Sequence, residues 1–203
     1  RSTRTGTRSS CTRQATRSRW SSAAARASSV LFADACGATD EQGSYSLSFN
    51  ASGSGALSLV VLAKTTSPVI QVEDNTDGDA VWAISGSITT GNTTKNLHAG
   101  HGWTGSSFNP NQRTAAPFAV LDSMYTAAKA FMTVRPVTFP ELKVNWSPDN
   151  VPQGGDKKQG FIGTSHYTSQ EKEIYILGKE GVHTPGGISR AAGTRWSPPR
   201  SWP

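Results

Sequence analysis

The first regular spacing of apolar and polar residues along the chain falls at Tyr45, Leu47 and Phe49, which alternate with Ser44, Ser46 and Ser48. That spacing predicts a strand with one apolar face, opened by the turn chemistry of Asp40 and Gly43. A loop at 50–56 holding Gly53 and Gly55 separates it from Leu57, Leu59 and Val61, which repeat the alternation. The two runs are expected to pair as an antiparallel hairpin of a sandwich. Shorter strand-like runs follow at Val69–Val72 and Val81–Ile84. Between them lies Glu73-Asp-Asn-Thr-Asp-Gly-Asp79, whose carboxylates superficially suit Ca²⁺. The loop lacks the Asp-x-Asp-x-Asp-Gly spacing and a distant bidentate Glu, so it reads as a solvated turn between strands.

A different period begins at Thr114-Ala-Ala-Pro117, a helix start with Pro in the first turn, where its missing N–H costs nothing. Phe118, Leu121, Tyr125, Ala128 and Met132 recur at helical steps, and Val120, Met124, Ala127 and Phe131 widen the stripe. The spacing predicts one long helix that buries this face and stops at Pro136; the Met and aromatic stripe reads as core. Leu142-Lys-Val-Asn-Trp146 then alternates as a strand, and a Pro/Gly/Asp loop runs from Ser147 to Gly160. Phe161–Thr168 precedes Glu173-Ile-Tyr-Ile-Leu177, which is apolar on both faces, ends at Gly178, and fits an interior or substrate-side strand.

Composition changes this picture mainly at the ends. The chain has 203 residues and a formal net charge of +6. Residues 1–29 carry seven Arg with no Lys and no acid, and residues 181–203 carry three Arg, again without Lys or acid. The interval 30–180 holds ten basic residues against all fourteen acids, so the patterned part is acidic. Arg-rich ends otherwise built of Ser, Thr, Ala, Gly, Pro and Trp are what a GC-rich gene yields out of frame, with native disordered linkers as the next reading, and on either they are expected to lack a packed core. An arm that neutralises phosphates is the weaker reading, because such arms usually mix Lys with Arg. No apolar run approaches the roughly 20 residues that cross a bilayer.

The remaining chemistry is sparse. Cys11 and Cys36 are the only cysteines and show no zinc spacing. Asn50-Ala-Ser52, Asn92-Thr-Thr94 and Asn145-Trp-Ser147 match the glycosylation sequon, which a Ser/Thr-rich chain produces by chance. His98-Ala-Gly-His101 places two imidazoles three apart, but the flanking glycines argue against a helix that would aim both at one ion, and the segment reads as an exposed loop around Trp103.

The run Thr39-Asp-Glu-Gln-Gly-Ser-Tyr-Ser-Leu47 resembles the carboxypeptidase regulatory-like domain, a small prealbumin-type β-sandwich that acts as a structural or binding module. The family's earlier strands would stand where the Arg-rich end lies, so the resemblance implies a partial sandwich. Further on, Ala116-Pro-Phe-Ala-Val-Leu-Asp122, Phe139-Pro-Glu-Leu-Lys-Val-Asn-Trp-Ser-Pro148, Gly163-Thr-Ser-His-Tyr167 and Ile174-Tyr-Ile-Leu-Gly178 resemble bacterial secreted or lipoprotein zinc metalloproteases of the zincin kind. In that family the last strand leads into a helix bearing His-Glu-x-x-His, whose imidazoles hold Zn²⁺ and whose Glu takes a proton from the metal-bound water. Here Gly178 is followed by Lys-Glu-Gly-Val-His183-Thr-Pro, without that motif, and His183 has no partner four residues on.

The resemblance therefore implies an incomplete zincin-like portion that is inactive as given, with no catalytic residue and no cofactor in this chain, zinc belonging to the full family member. Its partner there would be a peptide or protein substrate paired along a strand edge, formed by Gly163–Thr168 or Ile174–Leu177. The substrate-binding candidates are His166, Tyr167, Ile174, Tyr175 and Ile176; no nucleic-acid partner and no membrane span are expected, and the location implied is secreted or cell-envelope. The expected fold is α+β: a basic tail at 1–36, a partial prealbumin-like antiparallel sandwich at 37–72, a β-rich connector at 73–113, a zincin-like α/β portion at 114–180 and a second tail at 181–203. The competing reading is a non-catalytic β-rich surface module that binds glycan or protein.

Overall fold

A computed structural model describes residues 37–40, 42–48, 57–89 and 91–180. The expectations for both tails, Cys11, Cys36, Phe49, the sequon at Asn50 and His183 lie outside the described residues. Within them the fold is α+β and rich in strand: β1 (Leu57–Leu62), β2 (Ile70–Asp74), β3 (Ala80–Val81), β4 (Ala83–Ile88), α1 (Ala115–Val134), β5 (Leu142–Trp146), β6 (His166–Thr168) and β7 (Glu173–Ile176).

The strands form a two-stranded ribbon of β1 with β4 and a five-stranded mixed sheet in the order β3-β2-β5-β7-β6. β2, β5 and β7 run parallel, and β3 and β6 are antiparallel at the two ends of that order. Parallel strands are normally covered on both faces, and four of the five residues of β2 are buried, leaving only Asp74 partly open. The register puts Ile70 beside Leu142, Val72 beside Val144, and Val144 beside Ile174. These apolar side chains face α1, whose Leu121 is buried and whose Ala116, Val120, Met124 and Ala128 pack on the same core with Ala63 and Trp146.

The helix begins and ends where the sequence places it. Thr114 uses its hydroxyl to accept the Gly100 N–H at 2.9 Å, and the Ala115 N–H bonds Gly100 O at 2.8 Å, so the loop at Gly100 anchors the first turn. Arg135 turns extended ahead of Pro136, as a residue before proline prefers. The apolar stripe outruns its cover: Phe131 is exposed and touches Phe139 edge-on at 6.5 Å.

Two expectations are corrected. Residues 44–48 are not a strand; Asp40 instead closes a turn by accepting the Gln42 and Ser44 N–H groups, and the Tyr45 hydroxyl donates to Lys95 O. The partner of β1 is β4, from Leu57 against Ile88 to Leu62 against Ala83. Alternation marks which face of a strand is apolar but not which strand it joins. The run expected at Val81–Ile84 breaks at Trp82: Val81 belongs to β3 of the five-stranded sheet, and Ala83 onward forms β4, which continues to Ile88 and supplies that longer partner. The join expected between 72 and 73 falls inside β2, whose bonds to β5 make it part of the five-stranded sheet. No helix of the described residues is long and apolar enough to cross a membrane.

Candidate functional site

The face of the five-stranded sheet away from α1 is polar, because the residues that alternate with its core positions are Gln71 and Glu73 on β2, Lys143 and Asn145 on β5, and Glu173 and Tyr175 on β7. Glu73 is buried and accepts from the Lys143 ammonium at 3.2 Å and from the Gln71 amide, while Gln71 accepts from Lys64 at 2.8 Å. Partial burial alone would pull the Lys143 pKa down; the hydrogen bond and charge of Glu73 outweigh it and hold the ammonium above its ordinary range. Asn145 donates to Glu173 at 2.8 Å, and the Tyr175 hydroxyl donates to the same oxygen at 3.3 Å. Asn145 is fully buried, so this fold leaves no room for a glycan on its sequon.

At the end of this face β6 and β7 form a hairpin that sets His166 opposite Tyr175. The two rings stack 5.5 Å apart at 15°, and His166 Nδ1–H donates to Thr164 O at 2.7 Å. Lys157, from the loop that follows β5, places its ammonium 4.2 Å from the Tyr175 ring centre and pairs with Glu171 at 2.6 Å. Burial first, then the charges of Glu171 and Glu173, push the Tyr175 phenol far up, so it stays a neutral hydrogen-bond donor throughout the ordinary pH range.

The five residues anticipated at this site divide by face. His166 and Tyr175 meet on the polar side, whereas Ile174 and Ile176 pack on the core beneath α1. Tyr167 sits opposite Ile174 and is 58% exposed. Of the two candidates for the sheet edge, β6 holds it and β7 lies inside between β5 and β6. A three-residue edge offers little free backbone for pairing, and short edge strands are one way proteins limit unwanted association.

The exit from β7 is fixed from several sides. Asn150, fully buried, exchanges amide bonds with Asn75 at 2.8 and 3.0 Å and donates to Ile176 O at 2.9 Å. Its carbonyl accepts from Gly178 and Lys179 at 3.2 and 3.1 Å. Arg113 lies 5.1 Å from the Phe108 ring centre and 5.4 Å from that of Trp146, and it donates to Gly178 O. Glu180 accepts the Phe108 N–H at 3.0 Å. The signal for the polar sheet face was present as period-two polarity in three strands; Asn75, Asn150 and Arg113 carried none, being polar residues in loops.

His98 and His101 are both exposed on an irregular segment, and His101 Nδ1 accepts the Trp103 N–H at 2.9 Å. Among the described residues no three His, Cys, Asp or Glu side chains gather as a metal-binding group. Compared with known proteins, the chain matches no family model, no curated protein and no solved structure.

Proposed function

We propose that this chain carries the sheet-and-helix portion of a secreted or envelope zinc metallopeptidase of the zincin kind, beside a remnant of a regulatory-like sandwich, and that it is catalytically inactive as given. The observation that supports it is the order of elements over the resembling words: one long helix, then β5, a short antiparallel edge β6, and β7 running to Gly178. In the family the zinc helix would follow that glycine. The edge strand with His166 and Tyr167 would take an extended peptide by strand addition over a short stretch only, since three residues offer few backbone partners.

Among the described residues the donors do not fit zinc. His98 and His101 lack a shared helical face, His166 gives Nδ1 to a carbonyl, and the last positions of β7 and its extension, Ile176 and Leu177, are apolar. Isothermal titration of Zn²⁺ into the whole chain is expected to show no tight stoichiometric site, and a tight one-to-one site would overturn the claim of inactivity. Sequencing the coding DNA past codon 178 tests the family itself: His-Glu-x-x-His in another frame supports it, and its absence from all frames favours a second reading. That second reading, a non-catalytic β-rich binding module, is favoured by the exposed Trp103–Phe108 pair on a hairpin outside the sheet.

A further inference from the structure

Residues 102–109 form a small hairpin that holds two aromatic rings in the open. Trp103 and Phe108 are bridge partners with ring centres 5.0 Å apart at 59°, and they remain 41% and 37% exposed. The hairpin is closed by Thr104 N–H to Ser107 O at 2.9 Å and Asn109 N–H to Gly102 O at 2.8 Å. Gly102 has φ +75°, and a Cβ there would stand 2.9 Å from Asn109 O, so only glycine lets the hairpin sit on the turn at 109–112. Arg113 covers one side of Phe108 from below. The rings are thus fixed before any ligand arrives, which lowers the ordering cost of binding.

What surrounds the rings indicates the ligand. Thr104, Ser106, Ser107 and Asn111 are exposed; the Thr104 hydroxyl is tied to Ser107 O at 2.9 Å within the turn, which leaves Ser106, Ser107 and Asn111 to offer hydroxyl and amide groups. Among the described residues, two charged groups hydrogen-bond or stack at the hairpin, and both are engaged, Arg113 on Gly178 O and Glu180 on the Phe108 N–H. An indole plane with an uncharged hydrogen-bonding rim is complementary to an uncharged ligand with one C–H face and many hydroxyls, and unsuited to a polyanion. We infer that the Trp103–Phe108 hairpin is a binding platform for a neutral oligosaccharide, a pyranose ring stacking on Trp103. This rests on the binding-module reading.

The test is calorimetric titration of the whole chain with cellohexaose, xylohexaose and N-acetylchitohexaose, with a heparin hexasaccharide as the anionic control. At least one neutral sugar is expected to bind, about tenfold more weakly in Trp103→Ala, with binding kept in Trp103→Tyr and weakened a few-fold in Ser106→Ala. The Tyr and Ser106 variants keep the test decisive should Trp103→Ala unfold. Binding that all three variants leave unchanged overturns this site but leaves the binding-module reading. No heat from any neutral sugar, or heat from heparin alone, overturns the oligosaccharide itself.

Discussion

The ribbon of β1 and β4 and the five-stranded sheet use the same residue types with opposite results. In β2, Val72 is completely buried between the core and its neighbours, whereas on β1 Val60 and Leu62 are 52% and 49% exposed on a face shared with Ser58, Ala83, Ser85 and Ser87. Both strands are apolar in sequence. What separates them is cover: α1 lies over one side of the sheet and the loop at 147–163 reaches over the other, while the ribbon's outer face has no covering element among the described residues. Strand character is local, but the stabilisation of a strand comes from what a distant part of the chain lays on it.

The largest expected effect tests the most crowded point of the sheet side. A Cβ at Gly178 would stand 1.9 Å from Ser147 O, a backbone atom that cannot swing away. Gly178→Ala is expected to cost about 4 kcal/mol or more, seen as a collapse of the urea midpoint. By contrast Gly43→Ala, in the turn before the ribbon with open space around it, is expected to cost about 1 kcal/mol for its φ of +78° alone. Equal losses would refute the contrast between a packed and an open region.

A closer comparison uses one substitution at two valines. Val72→Thr buries a hydroxyl among Ile70, Val144 and Leu121 and is expected to cost about 2 kcal/mol. Val60→Thr, on the open face of the ribbon and facing Ser85, is expected to change stability by less than about 0.5 kcal/mol. Denaturant unfolding of both variants checks the pair, and a costly Val60→Thr would mean that the ribbon face is covered in solution.

These contrasts also show how far the sequence could be read. The helix at 115–134, β5 and β7 were legible because each has a long unbroken period with a Pro or Gly stop beside it, such as Pro136 and Gly178. The pairing of β1 was not, since the alternation of Leu57, Leu59 and Val61 fits any partner and the choice depends on where the chain returns. At the candidate site, His166 and Tyr175 were anticipated separately; their stacking depends on the four-residue turn that sets the hairpin register. Asn150 carried no signal of its own within the loop at 147–160, because its partner Asn75 is far away in sequence.

The smallest effect concerns the loop that covers the sheet's polar face. The hydrogen bond from Lys157, opposed slightly by burial and reinforced by the lysine's charge, holds the Glu171 carboxyl below its ordinary value of 4.5. A carboxyl whose pKa is lower folded than unfolded contributes stability that is fully present above the unfolded value and is lost as pH falls through the folded one. Both partners are substantially exposed, so screening limits the contribution to a few tenths of a kcal/mol. Wild type and Lys157→Gln unfolded in urea at pH 6 and again at about pH 3 should therefore differ more at the higher pH. The part of the difference that survives once Glu171 is protonated belongs to the other contacts of Lys157, that of its ammonium with the Tyr175 ring among them, which do not titrate with Glu171. A difference that is the same at both pH values would show that the ion pair adds nothing, and that the loop is held over the sheet by its backbone bonds, such as Asn75 to Lys157 O at 2.6 Å, and not by charge.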